Sequence, residues 1–161
     1  MGDAQVRPTL PALDPEAVAP TIGSGYPAAF RPAVNGRAKQ RLGDALGLRN
    51  FGVNLTTLAP GAGSALRHWH KTQDEFIYVL SGELTLVTET GEQQLLAGMC
   101  AGFPAGKPDG HRLVNRSGAP ATYLEVGDRS VGDEVCYPDD DLEARWKDGG
   151  WQFYRKSGEP Y

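Results

Sequence analysis

The chain contains little of several features that mark other classes of protein. Its 161 residues include two cysteines, Cys100 and Cys136, which do not form a CxxC pair. This favours free thiols in a reducing compartment over a disulfide framework. There is no long apolar run and no basic, apolar leader, so we expect a cytoplasmic protein without a membrane partner. Lys and Arg are scattered singly and the net charge is −4, so we expect no nucleic-acid partner.

Glycine and proline are abundant instead, with 21 and 12 copies that recur at short intervals. This is typical of many short strands joined by tight turns. Apolar runs such as NFGVNLTTLA, EFIYVL, ELTLVTE and ATYLEV are separated by turn signals such as Pro-Gly, Thr-Gly and Ser-Gly. The pattern predicts about eight strands between residues 50 and 127 of an all-β domain.

The two ends of the chain differ from this centre. Residues 1–40 are rich in Pro, Ala and Gly without a sustained period, which predicts an extended N-terminal arm lying over the domain or over a neighbouring subunit. Residues 41–161 are expected to form one domain with a C-terminal tail. Within that tail, the run PDDDLEARW at residues 138–146 places Asp residues where they could cap a helix, so it predicts one short C-terminal helix. The aromatic run at residues 151–154 predicts an edge strand.

All three histidines of the chain fall into one pattern with a glutamate. His68 and His70 are two residues apart on a predicted strand, so both side chains leave the same face. Glu75 opens the next strand, and His111 opens a later one. Three imidazoles and one carboxylate suit a single divalent transition metal ion such as Fe, Mn, Ni or Zn rather than Mg or Ca. We therefore predict that His68, His70, Glu75 and His111 are metal ligands.

Two linked motifs carry a resemblance to a known family. The run PGAGSALRHWHKTQDEFIYVLSGE at residues 60–83 resembles the first cupin motif: a glycine, HxH, four residues, Glu, six residues and Gly. The run GMCAGFPAGKPDGHRLVN at residues 98–115 resembles the second, with PxG, a histidine and, after three residues, Asn. Each motif has extra residues in a turn, one before His68 and two before His111, which leave the HxH-to-Glu spacing unchanged.

The resemblance implies a cupin-type jelly-roll β-barrel, of the small bacterial cupins that are often likened to sugar-phosphate isomerases and that commonly form homodimers. Strand parity predicts that Ile77 and Val79 share the inner face with Glu75, while Phe76 and Tyr78 point outward. Glu125, on an apolar strand, is the candidate catalytic proton carrier, although an outward salt bridge is an equal alternative.

A fold of this kind does not fix the reaction, so three functions stay open at this point. The first is a metal-dependent isomerase of a sugar phosphate or a similar small polar metabolite. The second is a non-haem iron dioxygenase, in which open metal positions take substrate and oxygen. The third is a non-enzymatic barrel that binds or senses a small ligand through its metal.

Overall fold

Short antiparallel strands dominate the structure, a computed structural model that describes residues 11–161. The segment before the central strands contains 3-10 turns at Pro15–Ala17 and Ala28–Val34 and a four-residue helix, α1, at Leu42–Ala45. The strands are β1 (Thr21–Ile22), β2 (Arg37–Gln40), β3 (Phe51–Leu58), β4 (Trp69–His70), β5 (Glu75–Ser81), β6 (Glu83–Thr88), β7 (Gly91–Leu96), β8 (Cys100–Phe103), β9 (Arg112–Val114), β10 (Ala121–Asp128), β11 (Glu134–Tyr137), β12 (Leu142–Lys147) and β13 (Gly150–Tyr154). Strands β3 to β10 are the strands expected in the central region.

The strands are arranged in three sheets. One sheet has six strands in the order β1-β2-β3-β10-β5-β8, a second has the order β13-β12-β11-β4, and a third has the order β7-β6-β9. All the neighbouring strands in these sheets are antiparallel. The all-β jelly-roll architecture agrees with the prediction, but the strands do not hydrogen-bond into one continuous closed barrel.

Strand alternation determines which side chains form the core. On β5, Ile77 and Val79 are buried, whereas Phe76 and Tyr78 remain exposed, as the parity of Glu75 predicts. Side chains of the six-stranded and three-stranded sheets meet in one apolar cluster that includes Val79, and a second cluster lies around β11 and β12. Because each strand buries one face, a shift of one residue would turn its apolar side chains out of these clusters.

Gly82, between β5 and β6, is required by both conformation and space. Its φ of 75° lies in the left-handed region, which favours glycine. An added Cβ would lie 2.8 Å from the Cα of Ala121 and 2.8 Å from the carbonyl oxygen of Pro120. The second glycine of the first motif therefore permits β6 to turn close against the start of β10.

The predicted C-terminal helix is wrong. Residues 138–141 form a turn, and Leu142–Lys147 is strand β12, paired with β11 on one side and β13 on the other. Leu142 and Ala144 are buried at alternate positions, which is the period of a strand, and pairing with both neighbours outweighs the local capping signal. Asp139 does not cap a helix; its carboxylate accepts two hydrogen bonds of 2.7 Å from Arg67.

The N-terminal segment is more ordered than an extended arm would be. Its first ten residues lie outside the described part, but Arg37–Gln40 pairs with β3 as a strand of the large sheet. Val34 is buried in the second apolar cluster.

Both cysteines are free, as expected. Within residues 11–161, no helix has the length and apolar character needed to cross a lipid bilayer.

Candidate metal centre

Three strand ends bring the predicted ligands together. His70 lies at the end of β4 and Glu75 begins β5, so the short loop between them reverses the chain. His68 and His111 face each other in an isolated antiparallel bridge. In that bridge each backbone N–H donates to the other residue's carbonyl oxygen, at 3.1 and 2.8 Å. The backbone therefore fixes the positions from which the imidazole rings project.

The three imidazoles converge on one carboxylate. The Nε2 atoms of His68 and His111 lie 3.6 and 2.9 Å from Oε2 of Glu75, and Nε2 of His70 lies 3.5 Å from Oε1. One donor atom from each of His68, His70 and Glu75 lies within 4.8 Å of the other two. This His-His-Glu triad could hold a metal ion. His111 is close to Glu75 but is not part of that mutual cluster, so its role as a fourth ligand stays a prediction.

Hydrogen bonds to the far side of the rings prepare two imidazoles for metal binding. Nδ1 of His68 donates to the carbonyl oxygen of Leu66 at 2.8 Å. Nδ1 of His70 is 2.5 Å from Oδ2 of Asp133, a carboxylate that accepts from it. In a neutral imidazole whose proton is held on Nδ1, Nε2 on the side of Glu75 offers its lone pair to a metal. The donor set thus fits a divalent transition metal.

Asp133 was not anticipated from the sequence. It is fully buried, and its Oδ1 also accepts from the backbone N–H and the hydroxyl of Thr72, at 2.8 and 2.9 Å. It therefore links His70 to the loop that leads to Glu75. No motif surrounds it, and only the pairing of β11 with β4 brings it near the histidines.

The electrostatics of the cluster keep Glu75 ionised. Burial raises the pKa of Glu75, but the neighbouring imidazoles of His111, His68 and His70 outweigh burial and hold the pKa well below its usual value. Burial lowers the pKa of His70, while the carboxylates of Asp133 and Glu75 raise it to about 9. Burial also lowers the pKa of His111, which favours its neutral form, the form that binds metal.

His111 is held by stacking rather than by a hydrogen bond on its far side. Its ring lies parallel to that of Phe103, with centroids 3.5 Å apart. Among the described residues, its buried Nδ1 has no hydrogen-bond partner. The backbone bridge and Phe103 therefore hold the ring of His111 in place, whereas a carboxylate holds the ring of His70.

The donors line a cavity of about 940 Å³. Its aromatic side includes Trp146 and Trp151, the latter with its ring centroid 6.0 Å from that of His70. Charged residues line the cavity as well, namely Arg37, Lys39, Arg41, Asp44, Glu125, Asp128 and Arg129. The cavity is large enough for a small metabolite and offers it a metal, charges and flat apolar surface.

Glu125, the candidate proton carrier predicted from the sequence, lines this cavity and forms an ion pair with Lys39. The outward salt bridge considered for Glu125 is therefore an inward one. Lys107, on the longer loop of the second motif, lines a separate small pocket of about 30 Å³ beside His70 and His111. Arg67 ties Glu89 and Asp139 together outside the cavity.

Fold and site together define a class: a jelly-roll protein with an HxH-and-glutamate cluster that could hold a metal ion. A family model for the cupin domain matches residues 54–127. A crystal structure of a cupin-superfamily sugar phosphate isomerase from Silicibacter pomeroyi is 48% identical, with 93% of this chain and 96% of that chain covered and a TM-score of 0.90. The chain belongs to the cupin superfamily.

Two further solved structures are similar. A candidate sugar phosphate isomerase from Acidithiobacillus ferrooxidans is 31% identical over 78% of this chain and 80% of that chain, with a TM-score of 0.71. The polyketide cyclase RemF from Streptomyces resistomycificus shares the fold at 20% identity, a TM-score of 0.62 and coverage of 74% and 79%. The search of curated proteins gave no significant match.

Proposed function

We propose that this protein is a metal-dependent isomerase that acts on a small phosphorylated sugar or a similar polyol phosphate. The observation that carries the proposal is that one cavity contains both the metal-donor cluster and Glu125, a carboxylate that takes no part in that cluster. The high similarity to the Silicibacter pomeroyi protein, described as a sugar phosphate isomerase, gives the substrate class.

In this proposal the ion is held by His68, His70, Glu75 and His111. When bound, it supplies a Lewis acid for the carbonyl and hydroxyl oxygens of the substrate. Asp133 and the carbonyl group of Leu66 keep the imidazoles of His70 and His68 in the required orientation.

Glu125 carries the proton in this scheme. Its carboxylate takes the proton from carbon 2 of the aldose and returns it to carbon 1, while the hydroxyl proton passes from oxygen 2 to oxygen 1. The reaction is balanced and needs no oxidant or other co-reactant. Asn54 donates to Oε1 of Glu125 at 2.9 Å, and the Tyr123 hydroxyl lies 3.4 Å from Oε2, so the carboxylate has a defined orientation.

The test is an NMR assay of a panel of aldose and ketose phosphates with protein loaded separately with Fe(II), Mn(II), Ni(II) or Zn(II). We expect interconversion of at least one pair, at the same rate under argon and in air. Glu125→Gln should lower kcat by about 10² to 10⁴-fold, the usual contribution of a positioned acid–base group. Glu143→Gln, a matched change on β12 outside the cavity, should leave kcat unchanged.

Two results would contradict the isomerase assignment in different ways. Turnover that requires oxygen together with Fe(II) would favour the dioxygenase alternative. Tight binding of panel members by fully metal-loaded protein, with no interconversion of any of them, would favour the non-enzymatic alternative.

A further inference from the structure

The charged wall of the large cavity contains an ion pair that belongs to no motif. Lys39 on β2 contacts Oε1 of Glu125 on β10, and the strand β3 lies between them. Asn54 on β3 donates to the same carboxylate oxygen at 2.9 Å. The side chains of Lys39 and Glu125 keep 20% and 23% of their exposure, so both charges are partly desolvated yet reachable from the cavity.

The cavity as a whole suits an anionic ligand. Four basic and four acidic side chains line it, Glu75 among the acids, so their charges balance. A divalent ion at Glu75 leaves the lining net positive, in a chain whose formal charge is −4. Field lines from this lining are concentrated in a cleft with low-dielectric walls, which favours entry of an anion.

Among the four cations of the lining, Lys39 combines a half-buried position with a contact that a ligand can replace, whereas Arg41 is exposed to solvent. Arg37 donates to the carbonyl oxygens of Ser64 and Gly23, at 2.6 and 2.8 Å, and so holds two loops in place. Arg129 is paired with Asp44 and donates to the carbonyl oxygen of Leu48. Within the described residues Lys39 contacts Glu125 and holds no backbone carbonyl, unlike Arg37 and Arg129, so a phosphate oxygen offers its ammonium an equivalent acceptor.

We propose that Lys39 is the anchoring cation for the phosphate of the ligand, and that it exchanges its contact with Glu125 for this anion when the ligand binds. The phosphate as the anion rests on the proposed function. Glu125 is not left without a donor, because the amide of Asn54 still holds it. Binding of the anion thus frees the carboxylate that the isomerase scheme needs as proton carrier, and Lys39 acts as a specificity and positioning residue.

The experiment compares three probes on the metal-loaded full chain by titration calorimetry: inorganic phosphate, glucose 6-phosphate and glucose. We expect the wild type to bind glucose 6-phosphate about 10 to 100-fold more tightly than glucose, the size of one charge-assisted contact. Lys39→Met should abolish this preference at unchanged metal content, and Lys39→Arg should keep most of it. Lys147→Met, an exposed lysine at the end of β12, is the matched control and should behave as the wild type.

Glu125→Gln separates direct binding by Lys39 from a general effect of charge. Removing the rival carboxylate should tighten inorganic phosphate binding several-fold, because Lys39 no longer has to leave an ion pair. The double variant Lys39→Met/Glu125→Gln should bind phosphate as weakly as Lys39→Met. Recovery of phosphate binding in the double variant would overturn the proposal, since Lys39 would then act only by neutralising Glu125.

Failure of this proposal is distinguishable from failure of the isomerase assignment. A wild type that binds neither phosphate probe, or a Lys39→Met variant that keeps the preference for glucose 6-phosphate, overturns the subsite even if some sugar phosphate is isomerised. Lys39-dependent phosphate binding without any isomerisation supports the subsite and counts against the proposed reaction. Unfolding temperatures of all variants, measured in parallel, identify any that fail to fold, and the Glu125→Gln result does not depend on Lys39→Met folding.

Discussion

Replacing Asp133 by asparagine tests how far the buried carboxylate controls the metal centre. The side chain is fully buried and accepts from three donors: Nδ1 of His70, the N–H of Thr72 and the Thr72 hydroxyl. Asparagine has one acceptor oxygen and one NH2 group in nearly the same shape. The hydroxyl of Thr72 can rotate and accept a hydrogen bond from that NH2 group, but the backbone N–H of Thr72 can only donate. The single amide oxygen therefore accepts from either His70 or the backbone N–H of Thr72, and the other of these two groups faces the NH2 donor.

Each arrangement has a measurable cost. If the amide oxygen serves Thr72, His70 loses the acceptor that keeps its proton on Nδ1, and metal affinity should fall about 10 to 100-fold, as for other carboxylates behind a metal-binding histidine. That is about 1.4 to 2.7 kcal/mol of binding free energy. If the amide oxygen accepts from His70, the buried N–H of Thr72 loses its partner, and the free energy of unfolding should fall by about 1 to 3 kcal/mol.

Competition against a chelating dye gives metal affinity, and calorimetry of the metal-free protein gives stability. Asp148→Asn is the matched control, since Asp148 is an exposed turn residue with a φ of 53°, which asparagine tolerates well. We expect the control to match the wild type in both measurements. A folded Asp133→Asn protein with wild-type metal affinity and wild-type stability would refute the role assigned to this carboxylate.

Four further predictions follow from the site and the fold. Removing the metal with a chelator should lower the unfolding temperature, because an ion at 100 times its Kd adds about 2.7 kcal/mol; equal temperatures with and without metal would argue against binding to the folded site. In metal-free protein the pKa of His70 is raised to about 9, so protonated His70 stabilises the fold. This stabilisation is fully present below pH 6.5, the ordinary pKa of histidine, and is lost as the pH rises through about 9. Urea titrations across that range should show the decline in the free energy of unfolding, and His70→Gln should abolish this pH dependence. Gly82→Ala should destabilise the protein by about 2 kcal/mol or more, through left-handed strain and the contact with Ala121. Gly61→Ala, at a similar φ of 81° but with nothing within 4 Å of the added Cβ, should cost less in the same denaturant assay. The exposed outer side chains of β5, Phe76, Tyr78 and Leu80, predict a homodimer. Light scattering should return about twice the chain mass of 17.3 kDa, and Tyr78→Lys should lower the measured mass. A wild-type protein that has the single-chain mass at micromolar concentration would contradict the homodimer.

The features predictable from the sequence are those encoded by local periodicity. Two histidines at a spacing of two must share a strand face, and Glu75 fixes the parity of β5 as far as Val79, so the metal-donor cluster and the buried Ile77 and Val79 follow directly. The central strands follow from the alternation of apolar runs and turns. Each of these inferences needs only residues that are close in the chain.

The remaining features depend on pairings between distant segments. Asp133 reaches His70 only because β11 pairs with β4, and Lys39 reaches Glu125 only because β2 and β10 flank β3. Neither residue lies in a motif. The helix prediction at residues 138–146 was wrong for a related reason. It relied on local capping acids, whereas pairing with β11 and β13 determines the conformation of β12.

Register along β10 joins the metal centre to the charged wall. Gly127 is paired with Glu75 and Glu125 with Ile77, so Glu125 lies two residues, or about 7 Å of strand, from the carboxylate of the metal cluster. Between Thr122 and Tyr123 the register shifts, from Thr122 opposite Ser81 to Tyr123 opposite Val79, which leaves Leu80 as an extra residue on β5. Such a bulge lets the turn at Gly82 keep its own geometry while Tyr123 and Glu125 stay on the same face as Glu75. Without the shift, either the turn or the inward orientation of Glu125 would be lost, since a slip of one residue exchanges the two faces of a strand. The irregularity in β5 is therefore what allows one strand pair to supply both the metal cluster and the proposed proton carrier to the same cavity.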